Sequence, residues 1–385
     1  MKILIVLTYY RPHISGLTIY AERLAKAFAR RGHEVTILTS QFEKSLPREE
    51  VADGVKIIRA PVFFRLSKGV IMPTFGWLAS KLVAETDVVQ LHLPQFDAAG
   101  ISFRSRLLKK PTIITYHCDL QLPPGVFNRI ANLAVEFMNW LTAIFTHKIV
   151  TYTQDYAEHS DYLKRRINKV AVISPPVELP VSTPEQIKSF MKTHNPRLQH
   201  PVIGMGPRFA TEKGVEILLQ ALPKILEKYP DALVQFAGPY KNIIGEEEYF
   251  QRLSPQINEF HKKGNWKFLG PLSPEQMAAF YPNLDVEVLA SLNATESFGL
   301  IQIEAMMNGI PCTTSDLPGV RQPVLRHGMG RIFPIGDSDG LADALLEVLA
   351  HKEEYITNKS SFSIYDPEMV AIEYEKLFEL IKKEI

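Results

Sequence analysis

The sequence predicts an α/β protein built from two doubly wound, mostly parallel sheets. Three observations carry that expectation. Short continuous apolar runs rich in Val and Ile alternate with helical patterns along the chain, and continuous runs suit strands covered on both faces by helices. The alternation pauses at Ser174-Pro175-Pro176-Val177-Glu178-Leu179-Pro180 and then begins again, as at a stiff, extended connector. The length, 385 residues, exceeds one typical domain and suits two or three.

The expected strands of the first half are Lys2 to Leu7, Val35 to Thr39, Val88 to Leu93, Thr112 to Tyr116, Ile149 to Thr153 and Val170 to Ile173. Its first helix, Ile19 to Arg31, ends at Gly32. The second half repeats the rhythm with strands at Val202 to Gly206, Leu233 to Ala237, Trp266 to Leu269, Val286 to Ala290 and Pro311 to Thr314. Helices are expected at Gly214 to Tyr229, Pro274 to Tyr281, Phe298 to Asn308 and Gly340 to Leu349. Such alternation is the mark of doubly wound sheets. The division falls near residue 178 and gives domains 1–178 and 179–366. A last helix, 367–385, opens on Pro367 and carries Tyr374 and Phe378.

Composition narrows the function. A net charge of +1 argues against a dedicated nucleic-acid binder. Two cysteines, Cys118 and Cys312, exclude a disulfide scaffold and a cysteine-rich zinc site and fit a reducing, cytoplasmic compartment. The apolar run Met1 to Leu7 is too short for a membrane span and reads as a buried strand, not a signal peptide. Ala131 to Thr146 is apolar but interrupted by Asn132, Glu136 and Asn139, so it is no clean span of about 20 residues. Its helical stripe at 127, 130, 134, 137, 141 and 144 favours a core helix. A membrane-facing helix is the alternative, helped by Trp140 and by Arg104, Arg106, Lys109 and Lys110 nearby in sequence.

Several short segments could carry chemistry. Gly206 to Gly214 follows a strand and precedes a helix, with Arg208 and Lys213 five residues apart. A guanidinium fork and a compact ammonium there can converge on a diphosphate, and surface solvation of both is the plainer alternative. Glu296 and Glu304 stand eight apart around Phe298-Gly299-Leu300. A helix opening there would offer its amides and positive dipole end to an anion. On two acids alone, a capping acid and a solvated acid are the plainer account. His92 and His117 end two strands of the first half, where open α/β sheets bind ligands, yet a lone histidine is more often structural. The loop Thr8 to Gly16 lacks the G-x-G-x-x-G fingerprint, which argues against a nicotinamide enzyme. Asp337-Ser338-Asp339 suits a helix cap better than a metal triplet.

In this order and spacing the segments resemble the retaining GT-B glycosyltransferases of family four. Glu296 to Glu304 resembles their E-x7-E signature. Arg208 with Lys213-Gly214 resembles their Arg…Lys-Gly motif, and Tyr116-His117-Cys118-Asp119 their strand-end histidine. The loop with Ser15-Gly16 resembles their N-terminal loop, with Ser15 in place of a first glycine. The resemblance implies a GT-B fold, two Rossmann-like domains facing a central cleft, with the last helix packing back on the first domain. It implies transfer of a hexose from a UDP- or GDP-linked sugar to a hydroxyl acceptor, with no cofactor and no metal. Arg208, Lys213 and the amides of Gly299 and Leu300 would stabilise the diphosphate, Glu304 would bind the ribose, and Glu296 and His117 would meet the donor sugar. Gly16, Leu272 and Phe298 would line the nucleotide, and Tyr10, His92 and Asp119 the acceptor. The expected acceptor is a sugar or lipid-linked saccharide of the cell envelope, reached in the cytoplasm or at the inner face of the membrane, with peripheral membrane contact as an option. A nucleotide-sugar epimerase and a non-catalytic sugar-nucleotide-binding subunit are the alternatives.

Overall fold

The structure, a computed structural model, describes residues 1–66, 69–120 and 126–385. The chain forms two compact units, Met1–Val177 with Ile364–Ile385, and Glu178–Ser363.

The first unit contains β1 (Lys2–Val6), α1 (Gly16–Arg30), β2 (Glu34–Gln41), β3 (Glu49–Ala52), β4 (Val55–Pro61), β5 (Phe64–Leu66) and β6 (Gly69–Ile71). It continues through α2 (Phe75–Glu85), β7 (Val88–Leu93), α3 (Ala98–Leu107), β8 (Thr112–Tyr116), α4 (Val126–Phe145), β9 (Lys148–Thr151), α5 (Gln154–His159) and β10 (Val170–Val172). Among the described residues its main sheet runs β10-β9-β8-β7-β1-β2-β4-β3. All pairings are parallel except β3 with β4. Strands β7 and β8 are buried along their whole length, as the unbroken apolar runs predict.

The second unit contains α6 (Pro184–His194), β11 (Val202–Met205), α7 (Val215–Lys228), β12 (Leu233–Phe236), α8 (Glu247–Lys263), β13 (Trp266–Phe268) and α9 (Pro274–Phe280). Then come β14 (Val286–Leu289), α10 (Leu300–Met307), β15 (Cys312–Ser315), α11 (Gln322–His327), β16 (Gly330–Phe333) and α12 (Ser338–Ala350). Its sheet runs β13-β12-β11-β14-β15-β16, parallel throughout. The last helix, α13 (Pro367–Glu384), belongs to the first unit.

Helix α13 packs on α1. Phe378 and Tyr374 lie against Phe28, with ring centroids 6.1 and 6.2 Å away. Arg31 meets Glu375 with both ends of its fork, and Arg30 meets Glu368 at 2.6 Å. The Tyr374 hydroxyl reaches past α1 to Tyr20 Oη and Thr115 Oγ1, each at 2.8 Å.

One expectation fails. Helix α4 was expected to turn its apolar stripe to the core. Phe127 and Ile130 lie outside the described side chains, but Phe137, Trp140 and Ile144 are exposed, while Asn139, Thr142 and Ala143 are buried. Helix α4 packs on α3, and the buried Thr142 spends its hydroxyl on Met138 O at 2.7 Å, so a polar side chain can face inward.

Candidate active site

Each of the two large sheets has a place where successive strands pass from one side to the other. In the second unit it lies between β11 and β14, since β12 continues on one side and β15 on the other. Open α/β sheets bind ligands outside the carboxyl ends of strands at such a switch point. The loops leaving β11 and β14 carry Arg208, Lys213 and Glu296, so the sheet topology and the sequence motifs indicate the same place.

The two loops are tied together. Leu292 N donates to Glu212 O at 2.9 Å. Gly214 has φ 63°, and a Cβ there would come within 2.1 Å of Ala290 O, so only glycine lets the first loop pass the second. Lys213 Nζ donates to Glu296 Oε2 at 2.7 Å, and both side chains are largely buried. Glu296 Oε1 accepts from Gly299 N at 3.1 Å. Gly299 caps α10 with φ 80°, and a Cβ would collide with Leu289 Cδ2 at 2.3 Å. Arg208 pairs with Glu212 and is partly exposed. Lys213 keeps two N–H donors beyond the one used by Glu296, Arg208 keeps most of its fork, and the first turn of α10 carries amides without intrahelical partners. The ensemble is a preformed cradle for an anionic group.

Behind the cradle, Glu304 sits in the second turn of α10, almost buried, and accepts from Tyr281 Oη at 2.8 Å. Phe298 is buried beneath the loop, and Leu272, half-buried, follows β13. A further acid, Glu287, escaped the sequence reading. It interrupts the apolar strand Val286-Glu287-Val288-Leu289 and is fully buried, and its Oε1 accepts from Gly206 N at 3.1 Å. Burial pushes its carboxyl well up and Glu304 adds to this, against the Gly206 bond. Its Oε2 has no partner. The raised carboxyl favours its uncharged form, and its bond from Gly206 N fixes the start of the Arg208 loop. An acid inside an otherwise apolar strand was the signal in the sequence.

The first unit has its own switch point, between β1 and β7. His92 and His117 sit beside it at the ends of β7 and β8, with stacked rings 5.0 Å apart. His92 Nδ1 and His117 Nε2 are 2.8 Å apart, and the other nitrogen of His117 bonds Tyr152 Oη. Both histidines are buried. Burial pushes His92 down to about 3 and His117 well below the ordinary imidazole range, so both rings are neutral near pH 7 and neither serves as a proton store there. Asp119 Oδ1 accepts from Tyr116 Oη at 2.7 Å and Ser160 Oγ at 2.8 Å; burial raises its carboxyl against these bonds.

The first loop is packed and capped. Tyr10 is buried, and burial drives its hydroxyl far up. Gly16 needs no glycine conformation: it opens α1 behind an ordinary N-cap, Ser15, whose Oγ accepts from Thr18 N, and a Cβ on Gly16 would meet nothing within 4 Å. Ser15, with φ −154°, adopts extended backbone and loses nothing by not being glycine. Asp337 caps α12, accepting from Gly340 N at 2.9 Å.

Known proteins agree with this architecture. Residues 186–359 match the family glycosyl transferases group 1, and residues 14–180 match glycosyltransferase family 4. The chain belongs to this family of GT-B glycosyltransferases. A phosphatidyl-myo-inositol mannosyltransferase of Mycobacterium leprae is 27% identical over 99% of this chain and 97% of its own length. An N-acetyl-alpha-D-glucosaminyl L-malate synthase of Bacillus anthracis is 23% identical over 98% of this chain and 97% of its own. The Anabaena Alr3699/HepE structure in complex with UDP-glucose superposes with a TM-score of 0.77 at 17% identity, covering 98% of this chain and 99% of that one.

Proposed function

We propose that the protein is a retaining hexosyltransferase that moves a hexose from a UDP- or GDP-linked sugar to a hydroxyl of a cell-envelope saccharide or lipid-linked saccharide, at the inner face of the membrane. The observation that carries this reading is the Lys213–Glu296–Gly299 chain at the switch point of the second unit. Lys213, Arg208 and the α10 amides bind the diphosphate and gain strength as the sugar–phosphate bond breaks and negative charge gathers on the leaving oxygen. Glu296, already aligned by Lys213 and Gly299, takes hydroxyls of the donor sugar. Glu304, aligned by Tyr281, accepts from the ribose hydroxyls. The acceptor oxygen attacks the anomeric carbon on the face the phosphate leaves, and a phosphate oxygen takes the acceptor proton. The buried His117, neutral near pH 7, moves no proton on this reading. The mannosyltransferase relative, named for a phosphatidylinositol, supports a lipid-linked acceptor.

Incubating UDP- and GDP-hexoses with and without saccharide acceptors tests the activity. Transfer only in the presence of acceptor is expected. An altered free sugar without acceptor would show an epimerase, and tight donor binding without turnover a silent binding subunit.

The two acids should differ in what they sense. Glu304→Ala weakens binding of the free nucleoside diphosphate, whereas Glu296→Ala leaves it nearly unchanged and cuts transfer. Calorimetric titration separates them, and equal losses of nucleotide affinity would show the roles are wrongly divided. Because two cations and a helix end neutralise the diphosphate, transfer should persist in EDTA; complete loss restored by Mg²⁺ or Mn²⁺ would replace this reading with a metal-assisted one.

A further inference from the structure

Sugar transfer does not explain one surface of the first unit. Helices α2, α3 and α4 form a single layer. Arg104 of α3 donates to Ser80 Oγ of α2 at 2.8 Å, and Phe103 of α3 meets Phe145 of α4 with ring centroids 5.1 Å apart. The crossovers from β7 to β8 and from β8 to β9 advance in one direction across the sheet, so right-handed connections put α3 and α4 on one face.

The outer side of this layer is inverted relative to a helix surface facing water. On α4, Leu133, Phe137, Trp140 and Ile144 are 59, 57, 47 and 46% exposed, while Asn139 and Thr142 are buried. Steps of four, three and four residues place the exposed four on one straight stripe about 16 Å long. Phe137 and Trp140 stack on it, 5.8 Å between centroids. Helix α3 repeats the inversion: Ser102 and Ser105 are buried, their hydroxyls spent on the carbonyls of Ala99 and Ile101, while Phe103 and Leu107 are 45 and 66% exposed. On α2, Trp77 is 69% exposed.

Basic residues interleave with these side chains. Lys81 lies one turn beyond Trp77, Arg106 and Lys109 flank Leu107, and Arg129 lies one turn before Leu133; all four are exposed. The exposed acids on α2 and α4 are Glu85 and Glu136. A protein interface separates an apolar centre from a polar rim. Here large apolar, tryptophan and basic side chains alternate along convex helices, the pattern that suits the boundary between acyl chains and anionic headgroups. No helix among the described residues is long and apolar enough to cross a membrane.

We propose that the outer side of the α2–α3–α4 layer docks on an anionic lipid bilayer and holds the protein there as a peripheral enzyme. The proposal deepens the lipid-linked-acceptor reading, but the docking itself rests on this surface alone.

Co-sedimentation of the full chain with vesicles of phosphatidylcholine, with or without phosphatidylglycerol, tests it. The chain should pellet with the anionic vesicles in about 0.05 M salt and lose affinity roughly tenfold or more in about 0.5 M salt, where screening shortens the reach of the basic groups to a few ångströms. The double substitution Phe137→Ser with Trp140→Ser should lose at least that much while circular dichroism and donor binding by calorimetry stay unchanged. Lys109→Glu with Arg129→Glu should weaken binding to the anionic vesicles only. Absence of binding to either vesicle overturns the proposal. So does equal, salt-insensitive binding to both, or a dimer in light scattering that Phe137→Ser with Trp140→Ser disperses, which would assign the face to a second copy of the chain. Vesicle binding without sugar transfer from any donor would leave the docking standing and remove the transferase reading.

Discussion

Lys213→Ala is expected to lower turnover about 10²-fold or more, the scale of losing one preorganised charge at the leaving group. The ammonium does two things in the structure. It stands at the strand end where the diphosphate is proposed to sit, and it holds Glu296 in place at 2.7 Å. Its removal takes away a positive charge and leaves Glu296 with the Gly299 amide as its remaining partner shown in the cradle. Arg208→Ala should cost a similar factor. Arg208→Lys should recover only part of it, because an ammonium cannot reproduce the planar fork. Steady-state kinetics on variants whose melting temperature matches the parent decides the matter. Near-wild-type turnover in both alanine variants would detach these side chains from the reaction.

The second large effect is on stability. Tyr374→Ala should destabilise the first unit by about 3–5 kcal/mol, the range for large aromatic side chains cut back inside a core. The ring is fully buried, and its hydroxyl links Tyr20 on α1 to Thr115 on β8. Tyr374→Phe keeps the packing and takes a partner from Tyr20 Oη, while Thr115 Oγ1 keeps its bond from Gln90 Nε2, so its cost should be smaller, about 1–3 kcal/mol. Deleting 364–385 should abolish cooperative melting of the first unit and leave a transition for the second. Calorimetry resolves the two units, and an unchanged first transition after Tyr374→Ala would mean that α13 is an ornament on α1.

The strand-helix rhythm was legible because parallel strands are apolar throughout. The cradle was legible because Arg208, Lys213, Glu296 and Gly299 lie in two short segments whose spacing survives in one dimension. The burial of His117 was not, since Tyr20, Tyr152 and Tyr374, which enclose or brace its surroundings, come from three distant parts of the chain. Glu287 reads as an anomaly in its strand until Gly206 is placed across from it. Helices α3 and α4 were missed or misassigned for a single reason. Burying Ser102, Ser105, Asn139 and Thr142 while exposing Phe103, Phe137 and Trp140 reverses the rule by which a helical stripe is assigned to a core. Helix α8 was overlooked although Tyr249, Leu253, Ile257 and Phe260 make a regular buried side, because Pro255 and many charges interrupt the apolar pattern.

The return of α13 to α1 also sets an order of events at the ribosome. The segment Ile364–Ile385, translated after the second unit, completes the first unit begun. Once Val177 has been added, 208 more residues must follow before Ile385, a wait of roughly 10–40 s at about 5–20 residues per second. Throughout that interval the nascent chain shows the apolar side of α1 around Phe28, and Tyr20 and Thr115 lack their hydroxyl partner. The second unit, by contrast, has all its residues by Ser363. The half of the molecule that is synthesised first is therefore the half that finishes last, and a chain released early carries an open seam where a chaperone or a protease can take hold.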